Sequence, residues 1–292
     1  MNFITASLVA LFSVSGWAMP AQPSAPEHPG SSSYSFEVRR ADVTINGRKV
    51  EVFLPNSSTP VPVIVFGHGQ AIDVTGYSLT FEHLAKKGVA VIHPQYDNGF
   101  FDRAWTRMAD DFNQLTAAIL EKYSSHLDPS QVIYSGHSKG AYVALMAAGA
   151  PTSAVKPAAL VLFAPADLNS SYLGRLDRDV PLTIVWGEAD TIIQKSVMTQ
   201  IYNQAPSLRK QFIEVVSYPT RAADHYFPQN KKFIFGGHDG VSAYHYFGVW
   251  KWLLGAAWDV EKSGGATNPY LYGDESGTTG ESGLEHRILR SW

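Results

Sequence analysis

The chain has 292 residues, 45% hydrophobic and 17% charged, with a formal net charge of −3 and a pI near 6.4. That length suits one large α/β domain with a sizeable core, and the balanced charge leaves no electrostatic footprint for nucleic acid or an anionic membrane. Cysteine is absent, which excludes thiol catalysis, zinc–thiolate sites and disulfides and leaves stability to packing.

The N-terminal stretch Phe3 to Trp17 is mostly apolar, is followed by small residues and then by a Pro/Ala/Ser-rich segment from Pro20 to Ser33. It reads as an export signal over 1–18 followed by a flexible linker over 19–34, and the apolar run is too short for a membrane span. An α/β domain is expected over 35–260, and an irregular tail over 261–292, where Gly, Ser and Thr dominate. Two sequons, at Asn56 and Asn169, matter only if the host glycosylates.

Within the domain, residues 35–54 alternate apolar and polar around Asn46-Gly47, a β-hairpin signal. Val61 to Phe66 is a β-branched run of the kind buried parallel strands show. Tyr77 to Lys87 has helical spacing and ends at Gly88, and Val89 to Ile92 forms the next strand. Trp105 to Tyr123 carries an apolar stripe at Met108, Phe112, Leu115 and Ile119 and predicts a long helix. Strands are expected at 131–135, 158–163, 181–186 and 211–216, with helices at 141–148, 194–203 and 241–258. This alternation predicts a mostly parallel eight-stranded sheet with helices on both faces.

Between the strand at 131–135 and the helix after it lies Gly136-His137-Ser138-Lys139-Gly140. The pattern is G-x-S-x-G in a strand–turn–helix context, which lifts the Ser138 hydroxyl clear of the sheet beside a helix N-terminus. The flanking glycines let strand and helix approach without Cβ clashes. A serine hydroxyl is a poor nucleophile at neutral pH, so it needs a base, and the base needs an orienting acid. Both should come from later loops, acid first.

The acid candidate is Asp190, where strand 181–186 opens into Gly187-Glu188-Ala189-Asp190. Its rivals are Glu188 and Asp167, and a turn or cap role is the structural alternative. The base candidate is His225, on the loop after strand 211–216. His238 is the alternative base, and His245, inside the last helix, is weaker. The oxyanion hole requires two backbone N–H groups, expected from Lys139 and from Gln70 in Gly67-His68-Gly69-Gln70. His68 is read as a structural residue of that loop. The histidines and Asp239 match no zinc spacing, so neither a metal nor a cofactor is expected.

These motifs resemble the α/β-hydrolase superfamily over about residues 35–258. The segments that carry the resemblance are Val65-Phe66-Gly67-His68-Gly69, the Ser138 motif, Gly187 to Asp190 and Ala223-Asp224-His225. Within that superfamily the chain is similar to the dienelactone-hydrolase-like and chlorophyllase-like group, which includes cutinase-like polyester hydrolases. It departs from the polyester hydrolases in its shorter glycine run after Ser138, its lack of cysteine and an insertion-like stretch over 229–240. The resemblance implies a serine carboxylic-ester hydrolase acting on small or polymer-borne esters through Ser138, His225 and Asp190. Secretion follows from the N-terminal segment, and the sequence leaves the oligomeric state open, with a monomer the default. The short segment 164–180 leaves no room for a large lid, so an open site is expected. The alternatives are a serine peptidase or amidase, a lyase or haloperoxidase, and a non-catalytic binding protein.

Overall fold

A computed structural model describes residues 19–97, 99, 101–151, 153–233, 236–263 and 286–290. The export segment read over 1–18 lies outside the described residues, as does most of the tail.

The chain begins its sheet with the hairpin β1 (Val38–Ile45) and β2 (Arg48–Pro55), paired antiparallel so that Ile45 faces Arg48. Asn46 and Gly47 close it with φ of 51° and 79°, the two positive values that a right-twisted two-residue turn requires. Next come β3 (Val61–Gly67), α1 (Ser78–Lys86) and β4 (Ala90–Pro94). α2 (Trp105–Lys122), β5 (Leu127–His137) and α3 (Lys139–Ala148) follow. β6 (Ala159–Phe163) leads through the four-residue α4 (Ser170–Leu173) to β7 (Leu182–Gly187), then α5 (Lys195–Gln204) and β8 (Lys210–Val215). With only that short helix between β6 and β7, this connection carries no lid domain. The last helix, expected as one element over 241–258, is interrupted near its start by a π turn over His245–Val249, after which comes α6 (Trp250–Ser263).

The sheet runs β1-β2-β4-β3-β5-β6-β7-β8, with the six strands from β4 to β8 parallel. A ninth strand, β9 (His286–Arg290), pairs antiparallel with β8 within the stretch read as an irregular tail. Buried β-branched and aromatic residues alternate across the sheet. Val132 and Tyr134 of β5 face one side with Val63, Leu160 and Ile184, packed against α2, α3 and α5. Ile133 faces the other with Ile64, Val161 and Val185, packed against α1 and α6. Both faces are thus covered, as parallel strands require.

The segment read as a linker is packed over part of its length. Lys87 Nζ donates to the carbonyls of Pro26 and His28 and to Ser31 Oγ, at 3.2, 3.3 and 2.8 Å. His83 Nε2 lies 2.7 Å from the Pro29 carbonyl, and its ring stacks on Trp250 of α6 at 3.6 Å. Gly30 sits so close to the Tyr246 backbone that a Cβ would overlap its carbonyl.

The connections place a site at the carboxyl ends of the central strands of this sheet. After β4 the chain crosses β3 to enter β5, so the loops leaving β3 and β5 diverge above neighbouring strands. Crevices at the carboxyl ends of parallel strands, where strand order reverses, are where open α/β sheets bind ligands.

Candidate active site

At the carboxyl end of β5, Ser138 adopts φ 55° and ψ −120°, a conformation that costs a non-glycine residue on the order of 1–3 kcal/mol. The surrounding glycines explain how the turn is held. A Cβ on Gly136 would lie 2.6 Å from the Gly140 carbonyl carbon, and one on Gly140 would overlap the carbonyl oxygen of Gly67 on β3. The backbones of β3, β5 and α3 therefore meet where only hydrogen atoms fit. The N–H of Lys139, the first residue of α3, lacks an intrahelical partner at this helix end.

Ser138 and His225 line one cavity of ≈ 250 Å³, together with Gly69, Gln70 and His137. Its apolar walls are Ile72, Ile192, Tyr226 and Phe233. Gln70 borders it from the loop after β3. Ser138 is 8% exposed and its Oγ makes no hydrogen bond among the described residues. The hydroxyl is free to meet a ligand, and hydrogen bonds of this type commonly tighten only when one binds.

His225 Nδ1 lies 2.8 Å from Asp190 Oδ2, and the Asp190 side chain is fully buried. The other carboxylate oxygen, Oδ1, accepts the backbone N–H groups of Ile192 and Ile193, each at 2.9 Å. The loop after β7 thus presents one oxygen to its own backbone and the other to the imidazole. An ionised carboxylate accepts only, so Nδ1 carries the proton and Nε2 is left as the basic nitrogen.

The rival residues sit elsewhere. Glu188 Oε1 accepts the Ser217 N–H at 2.7 Å, which ties the β7 loop to the loop after β8. Asp167 is exposed and caps the Leu168 N–H. His238 lies outside the cavity lining, and His245 is buried in the π turn with Nδ1 accepting the Ser242 N–H at 3.2 Å. His68 supports its loop: it stacks on Tyr96 at 4.5 Å, and Tyr96 Oη donates to the His68 carbonyl. Burial, and then the neighbouring His93, hold the His68 imidazole down to about 4. Asn169, one of the two sequon residues, caps α4 through the Ser171 N–H at 3.1 Å. Among the described residues no cluster of three or more His, Asp or Glu could hold a metal ion.

Three features were not legible in the sequence. The Lys139 side chain, though its backbone sits at the elbow, forms a buried ion pair with Asp97 at 2.6 Å. Its one available signal was a cation at a helix N-terminus, where the helix dipole disfavours positive charge and a partner is needed. Tyr77 and His137 form buried hydrogen bonds at the cavity wall. Phe233, in the insertion-like stretch 229–240, walls the cavity, and Asn230 in the same stretch donates its N–H to the Gly76 carbonyl at 2.8 Å.

A parallel sheet flanked by helices, with a strained serine after its central strand, defines an α/β hydrolase. The sequence matches the chlorophyllase family over residues 30–175, half of its length, and the chain belongs to that family. The matched region holds Ser138 and Gln70 and ends before Asp190 and His225. No individual curated protein matches the chain. Membership indicates a hydrolase of the ester-cleaving kind. No helix among the described residues is long and apolar enough to cross a membrane.

Proposed function

We propose that this protein is an exported serine hydrolase of carboxylic esters. The observation that carries the reading is the shared cavity of strained Ser138 and His225, the latter fixed through Nδ1 by buried Asp190. In the reaction, Ser138 Oγ attacks the ester carbonyl while His225 Nε2 takes its proton. Asp190 holds the required tautomer and stabilises the imidazolium. The backbone amides of Gln70 and Lys139 stabilise the oxyanion of the tetrahedral intermediate. His225 then protonates the departing alcohol as the acyl-enzyme forms. Water, deprotonated by the same imidazole, releases the acid and restores Ser138.

Ile72, Ile192, Tyr226 and Phe233 suit an apolar acyl or alcohol group, and the short β6–β7 connection leaves the site open to polymer-borne as well as small esters. Export rests on the apolar N-terminal run and the Pro/Ala/Ser-rich segment after it. The test is turnover of p-nitrophenyl esters of increasing acyl length with fluorophosphonate labelling. Ser138→Ala should abolish both, His225→Ala should remove turnover by about 10³-fold or more, and His238→Ala should leave it unchanged. The reverse result for the two histidines would move the base to His238. An unlabelled wild type with no esterase activity would refute the reading.

A further inference from the structure

At the cavity wall, two hydrogen bonds from separate segments converge on His137, a side chain that the proposed reaction does not use. His137 Nε2 lies 2.8 Å from the His225 carbonyl oxygen. A carbonyl only accepts, so Nε2 carries a proton. Burial, and then the neighbouring His225, hold the imidazole well below its ordinary range, so it has one proton only. Nδ1 is therefore bare and accepts the Tyr77 O–H at 2.9 Å. The Tyr77 oxygen accepts in turn the Gly69 N–H at 3.1 Å. Burial pushes the Tyr77 phenol upward, which keeps that O–H in place. Every donor and acceptor along this chain has one consistent direction: Gly69 N–H to Tyr77, Tyr77 O–H to His137, His137 N–H to the His225 carbonyl.

The surroundings leave the chain little play. Tyr77 is 1% exposed and packs on Phe66 at 4.9 Å and Phe81 at 5.9 Å. A Cβ on Gly69 would lie 3.1 Å from Tyr77 Oη and 3.2 Å from His137 Nδ1. The His137 and His225 rings are 4.7 Å apart. Gly69 precedes Gln70, and His137 precedes Ser138.

We propose that Tyr77 and His137 are positioning residues that set the Gln70 amide and the His225 imidazole against Ser138 through the hydrogen bonds of one side chain, His137, to Tyr77 and to the His225 carbonyl. This rests on the ester-hydrolase reading. Tyr77 ties the oxyanion loop and His137 ties the base loop, each to the segment bearing the nucleophile. Two isosteric variants divide the chain. Asparagine puts an amide oxygen near the place of Nδ1, so His137→Asn keeps the Tyr77 bond and loses the tie to His225. Glutamine puts an amide nitrogen near the place of Nε2, so His137→Gln keeps the tie to His225 and loses the Tyr77 acceptor.

The experiment measures kcat and KM over pH, and the affinity of a boronic acid whose tetrahedral adduct fills the oxyanion hole. For Tyr77→Phe and His137→Gln, a fall in kcat of about tenfold or more is expected, with KM within about threefold and boronate affinity lowered in step. For His137→Asn, boronate affinity should stay near wild type while the acidic limb of kcat/KM moves. A merely structural role would lower melting temperature alike in all three without separating boronate affinity from the acidic limb. Nitrogen-15 spectra of the wild type should show His137 as the neutral Nε2–H tautomer, whatever the activity. The other tautomer, or variants that keep kcat within twofold while Ser138→Ala is dead, would overturn the relay and leave the hydrolase reading standing. A wild type that cleaves no ester would overturn both.

Discussion

Replacing Asp190 by asparagine tests the site most directly, because the change is one atom in a fully buried side chain. The amide oxygen of the substituted side chain keeps the bonds from Ile192 and Ile193 N–H, so the loop should hold its shape. The amide nitrogen then takes the place of Oδ2, 2.8 Å from His225 Nδ1. Two N–H groups would face each other, and the imidazole escapes only by moving its proton to Nε2. That nitrogen can then no longer accept the Ser138 proton. The loss combines the wrong tautomer with a missing charge-assisted hydrogen bond to the imidazolium, together roughly 4–5.5 kcal/mol, or about 10³–10⁴-fold in kcat. The assay is steady-state hydrolysis of a p-nitrophenyl ester, with thermal melting as a control for folding. KM should stay within about threefold and the melting temperature within a few degrees, since the backbone bonds survive. A fall in kcat of less than about tenfold in a folded variant would refute Asp190 as the orienting acid.

Gly140→Ala should cost more stability than any surface substitution, about 3 kcal/mol or beyond, because its Cβ would overlap the Gly67 carbonyl and backbone cannot yield there; a melting curve matching wild type would contradict the close packing of β3 on α3. Stability should also fall in acid. Burial lowers the imidazoles of His68, His83 and His245 to about 4, about 3 and about 3, and that of His137 well below its ordinary value. Their unfolded values are near 6.5, so between these limits the unfolded chain binds more protons and stability drops as pH falls from about 6.5 toward 4. Denaturant titrations near pH 5 should report uptake of about three to four protons on unfolding, and a flat profile from pH 7 to 4 would be inconsistent with buried neutral histidines.

Much of this protein follows from local pattern. Asn46-Gly47 closes its hairpin because left-handed backbone is cheap for that pair, a preference local to the two residues. The β-branched run at Val61 and the stripe through Met108 and Phe112 declare their burial through periods that depend on strand and helix geometry alone. Glycines at 136 and 140 around a serine mark a turn that other residues could not make. Candidates such as Asp190 and His225 were readable as loop residues after strands, since the order of strands dictates which loops share an end of the sheet.

Other features depend on distances between segments far apart in sequence, which no local period encodes. His225 is distinguished from His238 by a contact with Asp190, thirty-five positions away, and by shared burial that a loop histidine does not announce. The segment Pro26 to Ser31 has the composition of a linker, and what holds it down is distant in sequence: Lys87, His83 and the backbone of Tyr246. The π turn at His245 interrupts a stretch, 241–258, whose sequence fits an unbroken helix. Tyr77 carried no signal beyond a helix start, yet its hydroxyl joins Gly69 of the loop after β3 to the residue before Ser138. Composition and period specify which elements form and which face each one buries; a hydrogen bond between loops forms only once the sheet has brought their ends together.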